Sequence, residues 1–278
     1  MKALVIQSDF GLDDGAVAAM YGVALSCDST LQIYNLTHNI PPYNIWEGSY
    51  RLAQTIDYWP EGTVFVSVVD PGVGSQRKSV VAKTATGHYI VTPDNGTLTH
   101  VSSIFGITEV REIDETANRL RGSEASYTFH GRDVYAYTGA RLAAGNISYP
   151  EVGPSLDPTQ LTLLPVSEPV ICEDSITGTI DALDVRYGSL WTSITRTQFL
   201  GLGFNFGDRV RMHVIHDDRV VHANHVTYVP SFASVEVGES LAYVNSLDRM
   251  AVAINRGSYA RAFNIGTGPV WRITLSKQ

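Results

Sequence analysis

Two cysteines, Cys27 and Cys172, are all that the 278-residue chain contains. That is too few for a disulfide framework, and neither sits in a CxxC or Cys/His zinc spacing. Basic residues are also few, 20 against 28 acidic ones for a net charge of −8. A nucleic-acid groove needs clustered Lys and Arg and is disfavoured; a cationic ligand is better suited to this balance. No window reaches the roughly 18 consecutive apolar residues of a membrane span. Met1 to Gln7 is one strand's worth of apolar residues, without the long apolar core of a signal peptide. A cytoplasmic, reduced setting is expected. Three signatures are missing: the GxxxxGK[ST] phosphate loop, GxGxxG after the first strand, and the GxSxG nucleophile elbow. Kinase, dinucleotide oxidoreductase and serine hydrolase all lose ground. His222 and His225 form a short HxxH with no third ligand in view, and a polar hairpin explains it better.

What is present is a folded-protein composition, 44% hydrophobic and 17% charged. The first half alternates strand and helix patterns. Ala3–Ile6, Leu31–Leu36 and Val64–Val69 read as strands; Gly15–Ser26 and Trp46–Tyr58 read as helices. A β-α-β-α-β order argues for a parallel sheet with covering helices. Ser79–Thr84 and His88–Thr92 read as a hairpin, Leu98–Phe105 as a helix, Arg111–Ser126 as a polar surface excursion, and the residues after Asp133 as a helix to Ala144. Prolines then crowd the chain at 150, 154, 158, 165 and 169. The expected organisation is an α/β domain over 1–150, a linker over 151–169, and a smaller all-β barrel domain over 170–278. Seven short strands at even spacing carry that last expectation.

Polar residues gather at predicted strand ends and helix starts of the first domain, the edge where open α/β sheets bind ligands. Asp9 follows the first strand. Asp70 ends the third and opens the turn Pro71-Gly72-Val73-Gly74, with Arg77 beyond it. Asp94 and Asn95 lie in a Pro-Asp-Asn-Gly turn, and His130 precedes Arg132 and Asp133. Each has a plainer reading. Asp13 and Asp14 suit helix capping, Asp94 suits a turn, His130 suits a satisfied core histidine, and Arg132 with Asp133 suits an ion pair. Asp9 suits a ribose diol, as acids in nucleotide folds do.

Taken together, Ser8-Asp9-Phe10-Gly11, Thr37-His38-Asn39-Ile40-Pro41-Pro42, Val69-Asp70-Pro71-Gly72-Val73-Gly74-Ser75 with Arg77, Pro93-Asp94-Asn95-Gly96 and Phe129-His130-Gly131-Arg132-Asp133 resemble the S-adenosyl-L-methionine (SAM) hydroxide adenosyltransferases. These are SAM hydrolases related to the SAM-dependent fluorinase and chlorinase. The resemblance runs on through Asp184-Val185-Arg186-Tyr187-Gly188, Phe232, Asn245-Ser246 and Asn255. It implies a homotrimer with inter-subunit active sites and cleavage of SAM to adenosine and L-methionine at the ribose C5′, with no cofactor and no metal. It also implies roles: Asp70, Arg77 and His130 for the attacking water, Asp9 for the ribose diol, and Tyr43 beside the nucleoside. Asp184 and Ser246 would take the methionine end, with Tyr187 and Ser189 also against substrate, and Phe232 and Asn255 would line the adenine pocket.

The family's halogenases carry Tyr at the place of Asp70 and no His at the place of 130, so the resemblance favours the water-using branch. An anionic Asp70 would also repel a halide in a dry pocket. The family often has Asn where Ser189 and Ser193 stand, and Gly or Arg near Leu247; these departures touch the methionine end. Two other readings stay open: a non-catalytic adenosine- or SAM-binding protein of the same fold and, more remotely, a SAM-dependent halogenase.

Overall fold

The computed structural model describes residues 3–277 and divides into two compact units, one ending at Leu164 and one beginning at Pro165. In the first, β1 (Ala3–Ser8), α1 (Ala16–Cys27), β2 (Gln32–Thr37), α2 (Ile45–Ile56) and β3 (Val64–Val68) follow in the expected order. Then come β4 (Ser79–Thr84), β5 (Tyr89–Pro93), α3 (Thr99–Phe105), β6 (Ile107–Glu112) and α4 (Glu115–Asn118). A π-helical turn, Gly131–Ala136, runs into α5 (Tyr137–Ala144), and β7 (Ser155–Leu156) ends the sheet. The strand order is β2-β1-β3-β5-β4-β6-β7. The first four strands are mutually parallel and the remaining pairings antiparallel.

Why β1 and β3 read as unbroken apolar runs is now visible: both their faces are covered. Leu4, Ile6, Val64, Val66 and Val68 pack with Met20, Ala24, Tyr135, Ala136 and Ala140 on one side. Val5 and Phe65 pack with Leu52, Ala53, Ile56, Leu98 and Val101 on the other. Side chains alternate faces along a strand, so a run of six inward residues needs two cores. Each fully buried Val, Leu or Ile contributes roughly 1.5–3 kcal/mol. The chain leaves β1 for β2 on one flank and returns to β3 on the other. The carboxyl ends of β1 and β3 therefore flank a topological switch point, the crevice where such sheets take ligands.

Two stretches differ from expectation. Residues 111–126 are not simply a surface excursion: they start inside β6, form α4, and bury Asn118 and Arg119. Asn118 Nδ2 donates to the carbonyl of Val152 at 2.9 Å, which a polar-composition reading cannot foresee. The proline-rich stretch is mostly part of the first unit. Val152 is fully buried and β7 pairs with β6. The backbone N–H groups of Thr162 and Leu164 donate to Asp94 Oδ1 and Thr99 Oγ1, both at 2.8 Å. The prolines mark irregular backbone, and side-chain acceptors fasten that backbone to the sheet domain.

The second unit contains β8 (Val170–Ile171), β9 (Ser175–Leu183), β10 (Leu190–Thr195), α6 (Arg196–Gly201), β11 (Arg209–His216) and β12 (Arg219–Tyr228). It continues with β13 (Ser240–Val244), β14 (Arg249–Ile254), α7 (Tyr259–Phe263) and β15 (Gly268–Lys277). The order is β10-β14-β13-β12-β11-β15-β9-β8, and β10 also pairs with β9. That last pairing closes seven strands into a barrel and leaves β8 as an appendage. Closure removes the free strand edges a small sheet would expose. Inward residues such as Ile180, Ile194, Met212, Val214, Val252 and Ile273 fill the interior.

Candidate active site

Asp70 stands just past β3. The Asn95 side chain, at the end of neighbouring β5, donates to the Val69 carbonyl at 2.9 Å and braces the two strand ends together. The loop then curls back through two turns, Val73 N–H to Asp70 O at 3.2 Å and Ser75 N–H to Gly72 O at 3.0 Å. Gly74 has φ of +77°, and a Cβ there would lie 2.9 Å from the Tyr127 carbonyl oxygen, so only glycine fits.

The curl returns Arg77 to the acid. Arg77 Nε donates to Asp70 Oδ1 at 2.8 Å and Nη2 to Oδ2 at 2.5 Å, the two-pronged arrangement that favours Arg over Lys. Nη1 donates to Ser79 Oγ at 2.9 Å, and Nη2 lies 3.0 Å from His130 Nδ1. The guanidinium also sits over the Tyr135 ring, 5.6 Å from its centroid. Tyr135 OH donates to Asp70 Oδ2 at 3.4 Å and pairs with Ser79 Oγ at 3.2 Å. The Asp70 side chain is only 5% exposed and that of Arg77 11%; His130 is 4% exposed. Burial lowers the His130 imidazole below its ordinary range; Glu115 opposes this while Arg77 and Arg119 reinforce it. Burial raises the Tyr135 phenol, with the Asp70 carboxylate adding to the rise, so Tyr135 stays protonated and able to donate.

Asp9 follows β1, and its Oδ2 accepts from the Tyr43 backbone N–H at 2.8 Å. That contact helps hold Tyr43 at φ of +67°, a conformation costing a non-glycine residue roughly 1 kcal/mol. Tyr43 itself is 74% exposed. Beneath them, Ser8 Oγ and His38 Nδ1 meet at 2.7 Å, His38 Nε2 and Asn35 Oδ1 at 3.0 Å, and Gly11 N–H donates to the His38 carbonyl at 2.8 Å. Burial pushes His38 down to about 4. A neutral ring with Nε2–H toward Asn35 accepts a hydrogen bond from the Ser8 hydroxyl at Nδ1. This network fixes the loops that present Asp9 and Tyr43.

The second unit has its own cleft, a cavity of about 580 Å³ whose lining includes Tyr187, Phe232 and Asn255 together with Arg186, Arg256 and Arg261. Asn255 Nδ2 donates to the Val235 carbonyl at 2.9 Å, and Phe232 packs on Tyr243 with ring centroids 4.9 Å apart. Asp184 Oδ1 accepts from the N–H groups of Arg186 and Tyr187 at 3.1 and 3.2 Å. It thereby shapes the loop that carries Tyr187. Asp184, Ser189 and Ser246 lie outside the cleft's lining. Ser189 is 1% exposed and bonds to the Tyr243 phenol, whereas Ser246 is exposed on a turn.

Of the sequence-derived residues, the fold thus gathers Asp70, Arg77 and His130 at one point, Asp9 with Tyr43 at another, and Tyr187, Phe232 and Asn255 in the barrel cleft. The plainer readings hold elsewhere. Asp14 accepts from Ala16 N–H at 2.8 Å, although the N-cap of α1 is Gly15 and carries no side-chain cap bond; Arg132 pairs with the fully buried Asp133 at 2.6 Å, and His222 meets the Tyr259 hydroxyl at 2.9 Å. Three residues escaped sequence reasoning: Ser79, Tyr135 and Arg119. Ser79 and Tyr135 are hidden in a strand and a helical turn with no local signal. Glu115 and Arg119 form an i,i+4 pair, a pattern that ordinarily means a solvated helix face. Among the described residues, no three or more His, Cys, Asp or Glu side chains are grouped to hold a metal ion.

Comparison with known proteins identifies the family. Residues 4–153 match the SAM hydroxide adenosyltransferase N-terminal domain and residues 178–272 the corresponding C-terminal domain. A protein of Salinispora tropica named (R)-S-adenosyl-L-methionine hydrolase is 33% identical, over 96% of this chain and 95% of its own. A fluorinase of Actinopolyspora mzabensis is 29% identical over 98% and 97%. The crystal structure of an uncharacterized conserved protein from Thermotoga maritima superposes with a TM-score of 0.89 at 30% identity, covering 99% of this chain and all of that one. With both domains matched in order over most of the chain, this chain belongs to the SAM hydroxide adenosyltransferase family.

Proposed function

We propose that the protein hydrolyses SAM to adenosine and L-methionine. The observation that carries this is the convergence of Asp70, Arg77 and His130, with Arg77 2.8 Å from the carboxylate and 3.0 Å from the imidazole. The reaction asks little of a protein acid. A water oxygen bonds to C5′, the C5′–S bond breaks, and its electron pair returns to sulfur as the neutral thioether of methionine. The sulfonium leaves without protonation, and the water gives up a proton.

What must be supplied is a water held in line with the C5′–S bond and an acceptor for its proton. Asp70 is that acceptor. The Arg77 fork holds that carboxylate in place, and Arg77 has a second task, stabilising hydroxide character on the water oxygen as the proton departs. His130, kept neutral by burial, completes the hydrogen-bond set. An anionic carboxylate at this place disfavours halide as nucleophile. In the barrel unit, the aromatic faces of Tyr187 and Phe232 and the amide of Asn255 offer what a purine ring stacks on and bonds to. Three copies of the chain are proposed to form the working protein, which sedimentation of the purified protein would test.

The direct test is turnover in ¹⁸O-labelled water. SAM should yield L-methionine and adenosine carrying the label at its 5′ oxygen, and Asp70→Asn should lower kcat by roughly 100-fold or more while adenosine still binds. An inactive wild type that binds adenosine would establish the binding-protein reading instead. A 5′-halo nucleoside formed in chloride or fluoride would establish the halogenase.

A further inference from the structure

His130 lies between two guanidiniums. Arg77 Nη2 is 3.0 Å from Nδ1, and Arg119 Nη1 is 3.5 Å from Nε2. A guanidinium offers N–H donors and no acceptor. A neutral ring has one acceptor nitrogen; the shorter contact assigns it to Nδ1, and the ring proton then sits on Nε2, where it opposes the Arg119 N–H across the longer 3.5 Å separation. A second ring proton would set N–H against N–H at Arg77 and place a third cation between two.

Arg119 cannot easily yield. It is 8% exposed. Its Nη1 donates to Glu115 Oε2 at 2.6 Å, its Nε to Ser123 Oγ at 3.2 Å, and its Nη2 to the Ser126 carbonyl at 2.6 Å. The Tyr127 ring lies 4.9 Å from its guanidinium carbon. The charged and titratable groups around the imidazole are Asp70 and Arg77 from the loop between β3 and β4, Glu115 and Arg119 from α4 and its end, Tyr127 beyond them, and Tyr135 from the π-helical turn. The two carboxylates are each already paired with a guanidinium.

We propose that Arg119 is a positioning residue for the reaction. Acting from the Nε2 edge, it holds the His130 imidazole uncharged, with the Nδ1 lone pair committed to Arg77. The water's proton then has one resting place, Asp70, and the Arg77 fork is not pushed off the carboxylate by a competing cation. This role rests on the hydrolase reading for its purpose; the state of the ring does not.

The experiment reads both. Nitrogen shifts of ¹⁵N-histidine-labelled protein would follow the His130 ring from about pH 5.5 to 8, without any turnover. The wild-type ring should stay in the neutral Nε2–H form. In Arg119→Gln it should take up a proton with a midpoint nearer the ordinary imidazole value, and kcat should fall about 10-fold below roughly pH 6.5 with KM nearly unchanged. Arg119→Lys, which restores the charge, should recover most of the neutral ring and of the acid-side rate. Glu115→Gln is the second variant should Arg119→Gln not fold: loss of that carboxylate should make the ring still harder to protonate. A wild-type ring in the Nδ1–H form, identical titration in wild type and Arg119→Gln, or easier protonation in Glu115→Gln would each overturn the proposal. An inactive protein whose ring nonetheless behaves as described would sink the hydrolase reading and leave the Arg119 clamp standing.

Discussion

At the residue scale, the site depends on shape more than on charge. Arg77 reaches four groups at once: both oxygens of Asp70, Ser79 Oγ and His130 Nδ1. An ammonium is a compact point charge and cannot span them. Arg77→Lys should therefore keep the protein folded and SAM bound, while kcat drops by about 10-fold or more; steady-state kinetics separate this from a binding defect, which would raise KM instead. The pairing of Asp70 with Arg77 is local, made by a loop whose turns are written in Pro71, Gly72 and Gly74. The pairing of His130 with Arg119 needs α4, which the surrounding polar sequence hides.

At the element scale, α5 lies against the sheet through a glycine. A Cβ on Gly139 would come within 2.6 Å of Val66 Cγ2 and 3.4 Å of Leu4 Cδ1. Gly139→Ala must push α5 away from β1 and β3, the two strands whose ends carry Asp9 and Asp70. Overpacking of this kind costs about 1–3 kcal/mol, outweighing the roughly 1 kcal/mol that alanine gains over glycine in a helix. A lower urea midpoint is the expected result, and an unchanged or higher midpoint would contradict the close packing described. In the barrel, β9 carries Asp181, 6% exposed, whose carboxyl burial pushes up to about 6. Its hydrogen bond from Thr179 survives in Asp181→Asn, so that variant should be the more stable protein near pH 8 and lose the advantage progressively as pH falls from about 6 toward 3.8, as melting curves would show.

At the scale of the whole molecule, the two units should answer acid in opposite senses. Burial holds His38 at about 4 against an ordinary value of 6.5. As pH falls below 6.5 the unfolded chain takes up a proton that the folded first unit refuses. Stability present above pH 6.5 is then lost progressively down to about pH 4, by roughly 3 kcal/mol; His130, also lowered, acts in the same direction. Asp181 does the reverse. Below about pH 6 the folded barrel keeps a proton that the unfolded chain releases until near its ordinary 3.8, so the barrel gains stability over that window. Calorimetry between pH 7.5 and 4.5 should show the first unit's transition falling and the barrel's holding or rising. His38→Gln should flatten the fall, and a first unit indifferent to pH would show that His38 is not buried as a neutral ring.

The α/β unit, the seven barrel strands, and the placement of Asp9 and Asp70 at strand ends can all be read from the amino-acid order. Apolar periodicity and Pro-Gly turns are local signals, and each is repeated over many residues. Where the first unit ends, and the gathering of Ser79, Tyr135 and Arg119 around the acid and the imidazole, emerge from folding in three dimensions. Those outcomes rest on single polar contacts between distant segments, such as Thr162 on Asp94 or Arg119 beside His130. A hydrogen bond between residues far apart in the chain leaves no periodic trace, because its partner is chosen by how the backbone closes in space.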